Sequence, residues 1–97
     1  MYTILEHKDV SKSLRKTPIE IRKNYLAWKR IVELEGPQGL RFIKGFHDEN
    51  LKGEWTGFRS SRLNKQWRVI YKIDKDELVV YVVEINPHTY WGANEKN

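Results

Sequence analysis

The segment TPIEIRKNYLAWKRIVELEG, residues 17–36, constrains the fold more than any other stretch. Ile21, Tyr25, Trp28 and Val32 recur at spacings of four, three and four, which aligns them along one side of an α-helix. Such a stripe is stable only when an apolar surface covers it. Thr17 reads as the N-cap, Pro18 as the first helical residue and Glu20 as the far half of a capping box. Gly36 followed by Pro37 ends the helix, because glycine tolerates the left-handed cap and proline cannot extend the hydrogen-bond ladder. Arg22, Lys23, Lys29 and Arg30 fall mostly off the stripe and read as its solvated side.

The surface that covers the helix has to come from the rest of the chain, and alternation supplies it. YTILEH, residues 2–7, reads as a first strand, and KDVSKSLRKT, residues 8–17, as a short helix with Val10 and Leu14 four apart. GPQGLRFIKGFHDENLKG, residues 36–53, reads as a loop pinned by Leu40, Phe42 and Ile43. Three β segments follow: EWTGFRSSR, KQWRVIYKI and ELVVYVVEI. The linking LNK and DKD are short enough to force antiparallel hairpins. The expectation is an α+β fold in the order β-α-α-β-β-β: a small antiparallel β-sheet with two N-terminal helices packed on one face. Residues 1–97 suffice for one domain and one core, and no repeat or linker interrupts them. With no cysteine, disulfides and thiol chemistry are excluded, and no window is long and apolar enough for a membrane span. A cytoplasmic protein is the expectation.

Three arginines, Arg59, Arg62 and Arg68, stand inside what reads as a hairpin. Strand side chains alternate faces, so Trp67, Val69 and Tyr71 share one face and Arg68 the other. The bulkier set belongs against the helices, which leaves Arg68 on an open face. A three-residue loop, Leu63 to Lys65 with Asn64 in a left-handed conformation, sets Arg62 opposite Gln66 and Ser60 opposite Arg68. Arg62 and Arg68 then share a face, and Arg59 has the opposite parity. Two readings follow for the pair: bidentate contact with phosphate, or pairing with Glu84 across the sheet.

Charge favours an anionic ligand. Residues 40–72 hold eight Lys and Arg against three Asp and Glu, whereas residues 73–97 hold two against five. A basic face of this kind suits RNA, whose 2′-hydroxyl can attack its own phosphate. That reaction needs a base, cations for the growing charge and an acid for the leaving oxygen, with no metal required. Glu49 or Asp48 is the candidate carboxylate, and His88, His47 or His7 the candidate imidazole. Lys52 adds a phosphate contact and Tyr90 a stacking or orienting group. The histidines are too far apart in sequence for a recognised metal motif, and no cofactor fingerprint is present.

Taken together, Leu51-Lys52-Gly53, Arg62, Arg68-Val69-Ile70-Tyr71 and His88-Thr89-Tyr90 resemble the RelE/ParE superfamily of bacterial toxins, in its mRNA-interferase branch of RelE, YoeB and HigB types. The resemblance covers about half the chain, and the helical half agrees in layout. It implies cleavage of mRNA, commonly in the ribosomal A site, by a metal-independent endoribonuclease without a cofactor. It also implies a type II toxin–antitoxin pair, in which a small DNA-binding antitoxin docks on the toxin. Carried over by position, Glu49 matches the general base, Arg62 and Arg68 the phosphate-holding arginines, His88 the general acid and Tyr90 its companion. Lys52, Arg59 and Lys65 are the expected further RNA contacts. YoeB-type members place the histidine and tyrosine side by side at the chain end; here Thr89 intervenes and a tail follows. Two other functions fit the same fold: inhibition of DNA gyrase, as by ParE-type members, and RNA binding without catalysis.

Overall fold

The computed structural model describes residues 1–87. Strand β1 (Thr3–Glu6) leads into helices α1 (Lys8–Lys16) and α2 (Ile19–Glu35). Two 3₁₀ turns, Pro37–Phe42 and Lys44–Phe46, carry the chain to a two-residue strand β2 (Glu49–Asn50). A further turn, Gly53–Trp55, precedes strands β3 (Arg59–Arg62), β4 (Trp67–Asp74) and β5 (Val79–Pro87). The strands form one sheet in the order β1-β5-β4-β3-β2. The α+β class and the element order agree with expectation, with β2 added.

The sheet is mixed rather than wholly antiparallel, because β1 pairs parallel to β5. Short hairpins dictate antiparallel pairing only for the strands they join; β1 reaches its neighbour through the rest of the chain and is free of that constraint. Glu54 and Trp55 turn away in a 3₁₀ segment, so β3 is shorter than its alternation suggested.

The apolar stripe of α2 is buried as its spacing requires, with Ile21, Tyr25, Trp28 and Val32 all in the core. Trp28 lies at the centre. Its ring stacks on Tyr25 at 5.8 Å and meets Tyr71 of β4 edge-on at 5.1 Å. Val69 and Tyr71 face the helices as the alternation demands, and Trp67 packs at the rim. Opposite them, a bulge in β5 pairs Ile70 with Glu84 but Tyr71 with Val82. The extra residue is why Val82 and Ile85, three apart, both point into the core.

The helix start differs from expectation. Thr17 closes α1 instead of opening α2: its N–H donates to the Leu14 carbonyl and its hydroxyl to the Ser13 carbonyl at 2.7 Å. Pro18 is the N-cap of α2 without a side-chain bond, so the capping box does not form. Two helices meeting within two residues compete for one threonine, and the preceding helix offers carbonyls that otherwise lack a donor. At the other end Gly36 takes φ +80° and Pro37 begins the next turn, so the helix stops where the sequence says.

Candidate active site

The β3–β4 register decides what the arginines face. Arg62 lies directly opposite Arg68, and Ser60 opposite Ile70. Against the expected pairing of Arg62 with Gln66, the strands are offset by two residues. The loop holds Leu63 to Gln66, and Asn64 is not left-handed; among the described residues the non-glycine positions with positive φ are His47 and Leu78. Asn64 acts through its side chain instead. Its Oδ1 accepts from the backbone N–H of Gln66 at 2.8 Å and of Trp67 at 2.7 Å, a turn built on a side-chain acceptor. A two-residue offset preserves parity, so Arg62 and Arg68 still share a face.

Glu49 joins them. It pairs with Ser60 across β2 and β3, so it stands on the same face, one strand and one row away from Arg62. Strand spacing and rise put their Cα atoms roughly 8 Å apart, close enough for both side chains to reach one phosphate step. Two guanidinium groups set directly opposite repel each other unless an anion bridges them. Arg62 Nε is buried without a hydrogen-bond partner among the described residues.

The face is not open at its centre. Arg68 is only 3% exposed, and Ser60 and Ile70 are buried beside it. Arg68 sits on a central strand between Arg62 and Asn86, its register partners on the two neighbouring strands. Phe58 continues the alternation of Ser60 and Arg62; Trp55 meets its ring edge-on at 5.4 Å and the Lys72 ammonium lies 5.8 Å from its centroid. Glu84, the alternative partner for the arginine pair, lies opposite Ile70 and accepts from the Asn86 amide.

Arg59 is placed elsewhere. Its Nε and Nη2 donate to Asp48 Oδ2 at 3.0 and 2.6 Å, and its Nη1 to Asn50 Oδ1 at 2.6 Å. Asp48 Oδ1 accepts from Ser61 Oγ at 2.6 Å and from the Tyr71 hydroxyl. Ser61 in turn accepts from the Trp28 indole at 2.9 Å. The Asp48 carboxylate is 1% exposed. This network lies on the helix face and engages Arg59 and Asp48 with each other, away from the face that holds Arg62. Burial lowers the Arg59 pKa, but hydrogen bonds to Asp48 and Tyr71 outweigh it and hold the guanidinium above its usual value. Burial, followed by the Asp48 charge, pushes the Tyr71 phenol well above its ordinary range. Sequence reasoning missed the network because its one visible signal, the odd parity of Arg59 and Ser61 with Tyr71, has no meaning until the register is known.

Lys52 and Lys65 are exposed, Lys52 after β2 and Lys65 in the β3–β4 loop. His7 caps α1, its Nδ1 accepting from the Asp9 N–H at 3.1 Å. His88 and Tyr90 lie outside the described residues; β5 ends at Pro87, opposite Trp67 and next to the Arg68–Asn86 pair.

A mixed sheet under two helices matches a class of small toxins: the chain has the RelE/ParE-superfamily toxin fold. No family model and no curated protein matches the chain. Among solved structures, the archaeal RelE–RelB complex from Pyrococcus horikoshii OT3 contains a chain 28% identical, with a TM-score of 0.72 over 90% of this chain and 94% of that one. The YoeB/ParE toxin from Agrobacterium tumefaciens is 16% identical, with a TM-score of 0.70 over 89% and 98%. YafQ from Escherichia coli is 18% identical, with a TM-score of 0.66 over 94% and 98%. At those two identities the likeness is one of fold.

Proposed function

We propose that this chain is the toxin of a type II toxin–antitoxin pair and an endoribonuclease that cleaves mRNA in the ribosomal A site. The observation that carries the reading is the direct pairing of Arg62 with Arg68, with Glu49 on the same face. Glu49 takes the proton of a 2′-hydroxyl, and the freed oxygen attacks the adjacent phosphorus. The P–O5′ bond breaks, leaving a 2′,3′-cyclic phosphate and a 5′-hydroxyl. Arg62 holds the non-bridging oxygens, whose charge grows along the path, and the charge of the buried Arg68 opposite it adds to that stabilisation. The resemblance assigns proton donation to the leaving oxygen to His88, and base stacking or phosphate orientation to Tyr90. Lys52 and Lys65 contact flanking phosphates; Arg59 supports the site through Asp48 rather than touching RNA. The partnership of the Pyrococcus relative with RelB supports an antitoxin partner here, by expectation a small DNA-binding protein. The place of action is the cytoplasm, where the ribosome and its mRNA are.

The test is incubation of the antitoxin-free chain with translating ribosomes on an end-labelled mRNA, beside naked mRNA. Sharp cuts at the A-site codon are expected. Glu49→Gln lowers the cutting rate about 10²–10⁴-fold, as loss of a general base does. Arg62→Ala lowers it about 10²–10³-fold, as loss of one charge-stabilising donor does. Both side chains reach solvent, so both variants keep the fold. No cutting by the folded protein sinks the reading, and supercoiling by DNA gyrase is then the activity to assay.

A further inference from the structure

Phe42 closes the 3₁₀ turn Pro37–Phe42 with 85% of its surface exposed. A ring of that size gives up a large burial by standing in water, and basic residues flank it in sequence. Arg41 precedes it, Lys44 follows it and His47 ends the next turn, all three exposed. A cavity of about 370 Å³ lies among Leu40, Arg41, Ile43, Lys44, His47 and Asp48. Its one carboxylate, Asp48, is already matched by Arg59, so the remaining charge is positive above an apolar floor. His47 takes the left-handed conformation (φ 45°), which non-glycine residues adopt at a cost and which recurs at functional sites. Asp48 of the cavity lining directly precedes the edge strand β2, and five residues of chain bound the Lys44–Glu49 Cα separation at roughly 17 Å.

We propose that this turn is a second RNA subsite, which deepens the cleavage reading and rests on it. Phe42 stacks on a nucleobase, while Arg41 and Lys44 contact phosphates of the same strand. Single-stranded RNA is bound by this pairing of an aromatic platform with a cationic groove. The exposed apolar surface, Phe42 and Ile43 amid three basic groups, is small for the core of a protein–protein interface. The site leaves Glu49, Arg62 and Arg68 untouched, so it is separable from the chemistry.

The probe is a labelled oligoribonucleotide with every 2′-hydroxyl methylated, which removes the attacking group and lets binding be read without cleavage. Its anisotropy is followed between 50 and 200 mM salt. Phe42→Ala is expected to weaken binding about tenfold with the salt dependence unchanged, and Phe42→Trp to restore it. Lys44→Ala is expected to lower the log–log salt slope by about 0.7, the value for one phosphate contact on a single strand. Lys12→Ala on α1 changes neither. Phe42→Ala binding within twofold of the unmodified chain overturns the proposal, including when that variant loses a protein partner instead. Tight binding by a chain that cuts no mRNA on translating ribosomes sinks the cleavage reading alone; no binding of the oligoribonucleotide by the unmodified chain overturns the subsite.

Discussion

Asp48 shows how far a single residue type is from a role. From composition it is as good a base as Glu49, its neighbour. Strand alternation turns the two to opposite faces, and only Glu49 stands with the paired arginines. Asp48→Ala strips Arg59 of its counter-charge in a nearly buried site, so we expect a loss of about 3–5 kcal/mol in urea unfolding. Tyr71 and Tyr25 give a second expectation. Burial comes first among the causes that raise both phenols, joined by Asp48 for Tyr71 and Glu6 for Tyr25. The folded chain then keeps protons that the unfolded chain loses near pH 10, so stability falls as pH rises beyond that point. Each tyrosine steepens the fall by at most about 1.4 kcal/mol per pH unit. Tyr71→Phe should flatten the alkaline limb of the unfolding curve, and an unchanged slope would refute this origin. The buried positions Ile21, Tyr25, Trp28 and Val32 were legible because helical periodicity is local. Asp48 was not, because its partners lie 11, 13 and 23 residues away.

At the scale of elements, the β3–β4 hairpin is where local rules ran out. Loop chemistry identified the turn but not its length, since Asn64 has two ways to make one: a left-handed backbone or a side-chain acceptor. The structure uses the acceptor. The two mechanisms give opposite substitution profiles. Asn64→Asp should retain most stability because the acceptor survives, while Asn64→Gly should lose about 1–2 kcal/mol with the two bonds. Thermal melts of the pair decide it, and a glycine variant as stable as the parent would point back to a left-handed turn. Helix α2 was readable along its stripe and at its Gly36 stop, but its start depended on where α1 ended. The same holds for β2, two residues long, which has no periodicity of its own and exists because β3 offers an edge.

For the whole molecule, the basic middle of the chain is divided by the sheet. Arg59 turns its charge inward onto Asp48, while Arg62 and Arg68 stand on the other face with Glu49. Glu49 therefore both drives the proposed chemistry and repels its substrate. Glu49→Gln should bind the methylated oligoribonucleotide at least as tightly as the parent while its cutting is lost; weaker binding would mean that Glu49 contacts RNA as a structural group instead. What the sequence by itself determined is the part governed by nearest-neighbour physics: helical and strand periodicity, the glycine stop, the parity that groups Arg62 with Arg68, and the excess of positive charge. Tertiary structure alone decided the parallel seat of β1, the two-residue offset that sets the arginines face to face, the burial of Arg68 and the withdrawal of Arg59. Those outcomes depend on which distant segment supplies the partner. Parity survives a shift of register, whereas the identity of the residue opposite does not.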